Sequence, residues 1–346
     1  MRAAPPRELV AIAPRTPVIQ GYIPPVLGPG TVRVRSELGA AKHGTELMGY
    51  RGEAVFNTHR YDQQMRLLVP NDQAGDGFPR SLGNMIVGRV TEVAPDVTAL
   101  TVGDRVYGHA PLREEHVMPA DRLQKLPDDL SAEAALCTDR ADAALAMRDA
   151  HVRIGDRVAV FGLGAIGLFA VQLCLLSGAS MVIGVDLVPR RRELAQRFGA
   201  HVVLDPANIQ DVGLEIHHLT GGLGADVTLE VSGSSHALHQ AVRATRYMGT
   251  VGVIAAYGSG ASGWNLGDEF HWNAINLVSC RTVSLPLRDY GWDHTRIVSL
   301  AETLLRTGKL SCEGVIDPIV PFEESPDAYR RIDADSAWST KLGVRF

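Results

Sequence analysis

Residues Gly162–Gly167 form a G-x-G-x-x-G segment, a glycine spacing that can bind a diphosphate. The segment follows a short apolar run, Asp156–Phe161, and opens a helical pattern that is apolar on nearly all sides. Asp186 stands at the end of the next apolar run, about twenty residues further on. A strand, a glycine turn, a helix and an acidic residue in this order predict a dinucleotide-binding site.

Each glycine has its own physical role in this turn. Gly162 allows the tight turn, Gly164 lets the backbone approach the diphosphate, and Gly167 lets the helix pack close to the strand. The N–H groups at the start of the helix, where Ala165 and Ile166 stand, can bind phosphate oxygens. These residues are therefore candidate cofactor-binding residues.

Asp186 predicts which dinucleotide binds. A carboxylate at this position accepts hydrogen bonds from the adenosine ribose hydroxyls and repels the 2′-phosphate of NADP, so the sequence favours NAD(H). The arginine run Arg190–Arg192 is the opposing signal, because a basic residue such as Arg191 could stack on the adenine or neutralise a phosphate.

Two later strand ends supply further candidate cofactor contacts. Ser232 follows an apolar run that ends at Glu230, and Tyr257 follows a second run that ends at Ala255. In a doubly wound parallel sheet, dinucleotides bind at the carboxyl ends of the strands. We expect Ser232 near the adenosine, and Ala255 and Tyr257 near the nicotinamide.

The elements that position these residues follow two different patterns. From about residue 151, short apolar runs alternate with helical patterns, which is typical of a doubly wound parallel sheet, the Rossmann fold. Before residue 151, the chain has short valine-rich runs such as Gly30–Leu38, Met85–Val93 and Asp104–Gly108, which predict a β-rich domain. The predicted fold class is therefore α/β, with a Rossmann domain and a second, β-rich domain.

This change of pattern predicts the domain boundaries. We assign residues 1–150 and 286–346 to the β-rich domain and residues 151–285 to the dinucleotide-binding domain. Lys341–Val344 is expected to pair back into the first domain, and Phe56–Gly77, which is polar and irregular, to form a long loop.

Composition excludes several classes of protein. The 346 residues carry a net charge of −5, so the basic excess of a nucleic-acid-binding protein is missing. Because no apolar run is long enough to span a bilayer and the N-terminus lacks a signal-peptide pattern, we expect a soluble, cytoplasmic protein without membrane contact. The four cysteines are scattered, which suits buried thiols in a reducing compartment and excludes a four-cysteine structural zinc.

The order of these parts resembles the medium-chain dehydrogenase/reductase superfamily, which includes zinc alcohol and polyol dehydrogenases. The resemblance covers nearly the whole chain and depends on Gly103–Val106, Val117–Leu123, Gly155–Val160 and the glycine turn. It implies a GroES-like, β-rich catalytic domain and an oxidoreductase that acts on a small molecule. The last strand of the dinucleotide domain, here Leu277–Ser284, commonly pairs between subunits in such enzymes, which implies a homodimer or homotetramer.

The chain departs from this superfamily at the positions that hold the catalytic zinc. The resemblance places His43 where a cysteine ligand stands, Asn84 and Met85 where a His-Glu pair stands, and Asp139 at a further acidic ligand. Amide and thioether groups are poor ligands of Zn²⁺, and Glu46 or His59 would have to complete the set. We expect no catalytic zinc.

One subgroup of the superfamily reads Gly-Thr-Glu-Leu in place of Cys-Gly-Thr-Asp. This chain is closer to that subgroup at Gly44–Leu47, Tyr50–Gly52 and Phe270–Asn273. Members are often described as dehydrogenases of hydroxyl groups on sugars, cyclitols or, in one branch, a hydroxyethyl chlorin. The resemblance implies that NAD⁺ oxidises a secondary alcohol, on a polyhydroxylated small molecule, to the ketone.

Without zinc, side chains must take the proton from the substrate hydroxyl group. His43 is the candidate base or proton relay, since the ordinary pKa of histidine, about 6.5, suits proton transfer at neutral pH. Thr45 would pass the proton on or orient the substrate, and Asn84, Asp139 and Arg140 would hold substrate hydroxyl groups. Competing candidates for the base are Lys42, Glu46 and Tyr50.

Two alternative functions are compatible with the sequence. A zinc-independent carbonyl or enone reductase needs hydride delivery but no metal, and a preference for NADPH would support it, against the indication of Asp186. A non-catalytic NAD(H)-binding protein would account for the lost ligands, and tight binding without turnover would be its signature.

Overall fold

In a computed structural model of the chain, the described residues are 5–71, 75, 77–257, 265–281 and 291–346. They divide into two compact units, Met1–Leu136 with Val315–Phe346, and Cys137–Gly314. Residues 137–150 and 291–314 thus belong to the second unit, whereas the sequence analysis assigns them to the first.

Strands and helices are numbered in chain order. The strands are β1 (Arg7–Ala13), β2 (Thr16–Gly21), β3 (Thr31–Ala40), β4 (His59–Asp62), β5 (Leu67–Pro70), β6 (Arg80–Ser81), β7 (Met85–Val93), β8 (Arg105–His109), β9 (Glu115–Pro119), β10 (Gln124–Lys125), β11 (Arg157–Phe161), β12 (Met181–Val185), β13 (Val202–Leu204), β14 (Ala225–Glu230), β15 (Thr245–Val253), β16 (Asn276–Ser279), β17 (Ile316–Pro321) and β18 (Lys341–Arg345). The helices are α1 (Thr45–Tyr50), α2 (Ala132–Ala135), α3 (Thr138–Ala144), α4 (Ala165–Leu176), α5 (Pro189–Arg197), α6 (Val212–Leu219), α7 (Ser235–Ala244), α8 (Glu269–Trp272), α9 (His294–Arg306) and α10 (Ser325–Ala334).

The first unit is β-rich, as predicted. One of its sheets has the order β10-β8-β7-β3-β18-β17, with β9 also paired to β3, and another has the order β2-β1-β6. Val32 and Val34 alternate toward one face of β3 and pack in a core with Ile86 and Val106. The C-terminal strand β18 runs antiparallel to β3, so the predicted return of the chain end to this unit is confirmed.

The segment Phe56–Gly77 is not the irregular loop that the sequence analysis expects. Strands β4 and β5 pair antiparallel within it, and Asp62 accepts the backbone N–H groups of Gln64 and Met65 in the turn between them. The side chains of both strands are partly or fully exposed, so the apolar alternation that identifies a half-buried strand is missing. Residues 72–74 and 76 lie outside the described residues.

The second unit contains a parallel sheet in the order β13-β12-β11-β14-β15-β16. Its neighbouring strands pair parallel throughout the described ladder. This is the 3-2-1-4-5-6 order of a Rossmann fold, so the predicted fold class is confirmed. The order reverses between β11 and β14, where such sheets bind their ligands. Of the predicted strand Leu277–Ser284, residues 277–279 belong to β16, and 282–284 lie outside the described residues.

Helix α4 shows why the second unit begins earlier than predicted. It contacts β11 and β12 and also α3, and α3 in turn contacts α9. Leu168, Phe169 and Val171 are buried on successive sides of α4, because both the sheet and a neighbouring helix cover it. Helices α3 and α9 therefore complete the core of the dinucleotide-binding unit.

The structure shows the surroundings of the cysteines and the length and polarity of the helices. Cys137, Cys174 and Cys280 are buried, as predicted for scattered thiols, and burial raises the pKa of the Cys174 thiol. In the described part of the chain, each helix is too short or too polar to cross a membrane.

His116 is a buried histidine in β9. Its ring is hydrogen-bonded to the backbone of Arg113, and its Nε2 atom has no hydrogen-bond partner among the described residues. Burial, together with the positive charge of Arg113, lowers the pKa of His116 to about 4. The folded chain therefore keeps this side chain neutral in mildly acidic solution.

We expect the free energy of unfolding to fall as the pH drops through this range. The unfolded chain protonates this histidine near its ordinary pKa of about 6.5, and the folded chain only near about 4, so acid favours the unfolded state. The difference corresponds to about 3 kcal/mol once the pH lies below both values. At about pH 5, which lies between the two pKa values, the loss relative to about pH 7.5 should be about 2 kcal/mol, and urea unfolding of the wild type and of His116→Gln at both pH values measures it. An equal loss of stability in the two proteins would contradict the expectation.

Candidate functional site

The turn between β11 and α4 has the geometry that the glycine spacing predicts. Gly162 has a φ of 93°, and a Cβ atom added there would lie 2.7 Å from the backbone nitrogen of Ser232. A Cβ atom added at Gly167 would lie 1.9 Å from the carbonyl oxygen of Gly162. At Gly164, an added Cβ meets no described atom within 4 Å beyond its chain neighbours. The turn is therefore closely packed at Gly162 and Gly167 and open at Gly164.

The start of α4 fits the phosphates of a dinucleotide. In the described structure no side chain caps this helix, whose first residues are Ala165 and Ile166. The first backbone N–H groups of a helix have no partner within it, and the helix dipole favours negative charge there. With the open space at Gly164, these residues fit a diphosphate.

Asp186 follows β12 and lies beside the glycine turn. Its Oδ2 accepts the N–H of Leu163 at 2.7 Å, and its Oδ1 accepts the N–H of Val188 at 2.8 Å. The guanidinium of Arg191 lies 3.9 Å from Oδ2, and Arg192 donates to the carbonyl oxygen of Asp186 at 2.7 Å. Because a carboxylate oxygen has two lone pairs, each oxygen can accept one further hydrogen bond, such as that of a ribose hydroxyl.

A buried carboxylate, Glu230 at the end of β14, organises the other candidate cofactor contacts. Its Oε1 accepts the N–H of Ser232 at 2.8 Å and the hydroxyl of the same residue, and the N–H of Gly233 at 3.2 Å. Its Oε2 accepts the hydroxyl of Tyr257, and its carbonyl oxygen accepts the N–H of Ala255 at 3.3 Å. Burial and the Glu230 carboxylate raise the pKa of Tyr257, so this hydroxyl remains a donor. Ser232, Ala255 and Tyr257 are thus brought together at the carboxyl ends of β14 and β15.

In the first unit, the last residues of β3 and β8 lie beside the first residue of β7, Met85. The N–H of Asn84 donates to the carbonyl oxygen of Ala40, the last residue of β3, at 3.0 Å. The carbonyl oxygen of Asn84 accepts the N–H of Ala110 at 3.1 Å and lies 3.3 Å from Nδ1 of His109. His43 stands in the loop directly after β3. His43, Asn84 and His109 therefore lie at or next to these strand ends.

His43 has a defined orientation. Its Nε2 accepts the N–H of Leu342 at 3.3 Å, and the carbonyl oxygen of Leu342 accepts the N–H of Ala41 at 2.9 Å. A ring nitrogen that accepts a hydrogen bond holds no proton, so this contact assigns the proton of the neutral ring to Nδ1. Thr45, the first residue of α1, is exposed.

Of the competing candidates for a base, Glu46 is hydrogen-bonded within the first unit and Tyr50 is buried. The Oε2 atom of Glu46 accepts the N–H of Lys42 at 2.6 Å, and its Oε1 accepts the N–H of Gly83 at 2.6 Å and the hydroxyl of Tyr329 at 2.7 Å. Burial raises the pKa of Glu46, and these hydrogen bonds oppose the rise. Tyr50 is fully buried. Neither side chain faces solvent as a base for a bound substrate would.

The positions that hold zinc in the enzymes this chain resembles do not fit a zinc ion here. Asp139 lies in α3 of the second unit, where its Oδ2 accepts Nε and Nη2 of Arg140 at 2.9 and 2.7 Å, and both side chains are buried. Met85 is buried in β7, and Asn84 offers an amide. Across the described ranges, no group of three or more His, Cys, Asp or Glu side chains is placed to hold a metal. Asn84 and Met85 thus offer an amide and a thioether, which are poor ligands of Zn²⁺.

Sequence reasoning did not assign roles to His109, Tyr329 or Glu230. Tyr329 lies 283 positions from Glu46, so no local pattern could pair them. His109 ends β8 opposite Met85, which becomes visible once strands are paired. An acidic residue at the end of a predicted strand, as at Glu230, was the one readable signal.

The chain is similar to a known protein family and to a known enzyme. Residues 165–289 match the family model described as zinc-binding dehydrogenase. The chain is similar to D-guloside 3-dehydrogenase of Escherichia coli K12, with 41% identity over 98% of this chain and 100% of that enzyme.

Two solved structures share the fold. One is described as a zinc-binding dehydrogenase of Sinorhizobium meliloti 1021 bound to NADP, with a TM-score of 0.77 and 19% identity over 99% of this chain and 100% of that chain. The other is described as a short-chain alcohol dehydrogenase of Escherichia coli CFT073 with NADH, with a TM-score of 0.76 and 19% identity over the same shares. At this identity the likeness concerns the fold alone.

Proposed function

Because the chain belongs to the medium-chain dehydrogenase/reductase superfamily and is an oxidoreductase that acts on CH–OH groups, we propose that it oxidises a secondary alcohol of a sugar, cyclitol or similar polyhydroxylated molecule to the ketone, with NAD⁺ and without zinc. The observation that carries this proposal is the 41% identity to an enzyme named D-guloside 3-dehydrogenase. A guloside is a sugar glycoside, and a ring hydroxyl at position 3 is a secondary alcohol.

Asp186 supports NAD⁺ rather than NADP⁺. Its carboxylate adjoins the glycine turn and keeps lone pairs for ribose hydroxyls, whereas a 2′-phosphate would meet its negative charge. The solved structures with the same fold hold NADP in one case and NADH in the other, so the fold is compatible with both. The choice therefore depends on this side chain and on the charge of the neighbouring Arg191.

His43 is the residue to which we assign the hydroxyl proton. When bound, the nicotinamide supplies the acceptor for the hydride of the carbinol carbon. The accepting nitrogen of His43 is Nε2, whose contact with the N–H of Leu342 is long, at 3.3 Å, and its release would free a lone pair for the substrate hydroxyl. Thr45 and Asn84 would orient the sugar by hydrogen bonds to neighbouring hydroxyl groups.

We expect turnover of a glycoside or polyol with NAD⁺ by chelator-treated protein. Formation of NADH is followed by absorbance with a panel of glycosides, polyols and cyclitols, using NAD⁺ and NADP⁺ in parallel, with metal content measured on the same sample. A kcat/KM at least about tenfold higher with NAD⁺ would agree with the carboxylate at Asp186. Turnover that requires added zinc would contradict the metal-free mechanism, and a preference for NADPH with carbonyl substrates would favour the reductase alternative.

Asp186→Asn is expected to lower the preference for NAD⁺ over NADP⁺ about tenfold, because it removes the charge that opposes a 2′-phosphate. The amide oxygen can still accept the N–H of Leu163, but the amide NH₂ then faces the N–H of Val188, so one of the two hydrogen bonds is lost. The ratio of kcat/KM for the two cofactors measures the effect. Asp205→Asn is the matched control, because Asp205 pairs with Arg192 near the same turn. An equal shift in both variants would show a general charge effect.

We also propose that the chain forms a homodimer or homotetramer. Strand β16 is the last strand of the described parallel sheet, and Leu277 within it is 38% exposed. A sheet edge with unpaired backbone groups can pair with a second copy.

A further inference from the structure

The hydrogen bonds of Glu46 select two particular backbone positions. Its Oε2 accepts the N–H of Lys42, the residue directly before His43, and its Oε1 accepts the N–H of Gly83, the residue directly before Asn84. Both distances are 2.6 Å, which is shorter than the usual range of N–H···O hydrogen bonds. One carboxylate thus holds the two loops that carry the candidate substrate-binding side chains of the first unit.

Two buried groups support this carboxylate. The hydroxyl of Tyr329, a fully buried residue of α10, donates to Oε1 at 2.7 Å. Burial and the Glu46 carboxylate raise the pKa of Tyr329, so its hydroxyl stays protonated and remains a donor. Lys341, 1% exposed, donates from Nζ to the carbonyl oxygen of Ala41 at 3.2 Å. Burial raises the pKa of Glu46, and the positive charge of Lys341 opposes that rise.

These contacts leave Glu46 badly placed to react. Among the described residues, each of its oxygens already accepts a hydrogen bond from within the first unit. Its Oε1 accepts two of them and its Oε2 one, so a single lone pair, on Oε2, is left for any other donor. Its position between two loops suits a different role.

We propose that Glu46 is a positioning residue, which sets His43 and Asn84 in register by binding the amide that precedes each, with Tyr329 completing its hydrogen bonds. The proposal rests on the proposed function, in which His43 takes the substrate proton. Displacement of a reacting group by about 1 Å costs about 10²-fold in rate. Loss of this carboxylate therefore acts on kcat through His43.

The test is a double-mutant cycle between Glu46→Gln and His43→Ala. Glutamine has the size of glutamate. Its NH₂ group is a donor, however, and would face the backbone N–H of either Lys42 or Gly83, so one hydrogen bond is lost. We expect Glu46→Gln alone to lower kcat about 10²-fold. In the His43→Ala background, the same change should lower kcat less than about threefold, because the residue it positions is gone. A merely structural role would give the same factor in both backgrounds.

Two further variants keep the test decisive if Glu46→Gln folds poorly. Tyr329→Phe removes one donor and leaves the carboxylate, and its effect on kcat should likewise vanish in the His43→Ala background. Tyr50→Phe is the matched control, since Tyr50 is an equally buried tyrosine whose ring lies 6.0 Å from that of Tyr329. Its hydroxyl has no hydrogen-bond partner among the described residues, so kcat should be unchanged.

The outcomes separate this proposal from the function on which it rests. If His43→Ala alone leaves kcat unchanged, the assignment of His43 as base is wrong. If His43→Ala lowers kcat but Glu46→Gln lowers it by the same factor with and without His43, the base assignment stands and the positioning role is overturned. Equal losses in Tyr329→Phe and Tyr50→Phe would also overturn it.

Discussion

Replacing His43 by alanine is expected to lower kcat by about 10²–10⁴-fold, the usual contribution of a positioned acid or base. The dissociation constant for NADH should change much less, because the hydrogen bonds that hold the candidate cofactor contacts Asp186 and Glu230 do not involve His43. Steady-state oxidation of the best glycoside, with NADH binding followed by fluorescence, measures both quantities.

His43→Asn distinguishes a base from a hydrogen-bond donor. The side-chain N–H of asparagine can replace the Nδ1–H that the contact with Leu342 assigns to His43, but asparagine cannot take up a proton. If His43 is the base, His43→Asn should be as slow as His43→Ala, and added imidazole should restore part of the rate. Retention of most of the activity in His43→Asn would instead assign a donor role, which contradicts our mechanism.

Two alanine substitutions in the glycine turn should have opposite effects. In Gly167→Ala the new methyl group would lie 1.9 Å from the carbonyl oxygen of Gly162, so the helix must move away from the strand. We expect the free energy of unfolding to fall by about 3 kcal/mol or more, at the upper end of overpacking effects. Urea unfolding measures this change.

Gly164→Ala should leave stability unchanged and weaken cofactor binding. Gly164 has a φ of −65°, which alanine adopts without strain, and no described atom beyond its chain neighbours lies within 4 Å of an added Cβ. The methyl group would instead occupy the space through which the diphosphate approaches, so we expect the dissociation constant for NADH to rise about tenfold or more. Unchanged NADH binding by this variant would contradict the placement of the diphosphate at this turn.

Local features of the chain were enough to predict the dinucleotide-binding unit. The glycine turn, the helix after it and Asp186 lie within a short stretch, and each depends on backbone conformation and periodicity between near neighbours. The same alternation predicts a doubly wound parallel sheet, and right-handed crossovers limit the strand orders that such a sheet can have. For these reasons the fold class was predicted from the sequence and confirmed.

Contacts between distant positions were not readable in this way. Tyr329 reaches Glu46 across 283 positions, and Leu342 orients His43 because β18 pairs beside β3. Asp139 and Arg140 are neighbours in the sequence, but their burial depends on the elements that pack around α3. Residue types and their spacing indicate which chemistry a chain can perform. Whether a carboxylate binds a substrate or a backbone amide depends on which segments pack beside it, and that packing exists only in the folded chain.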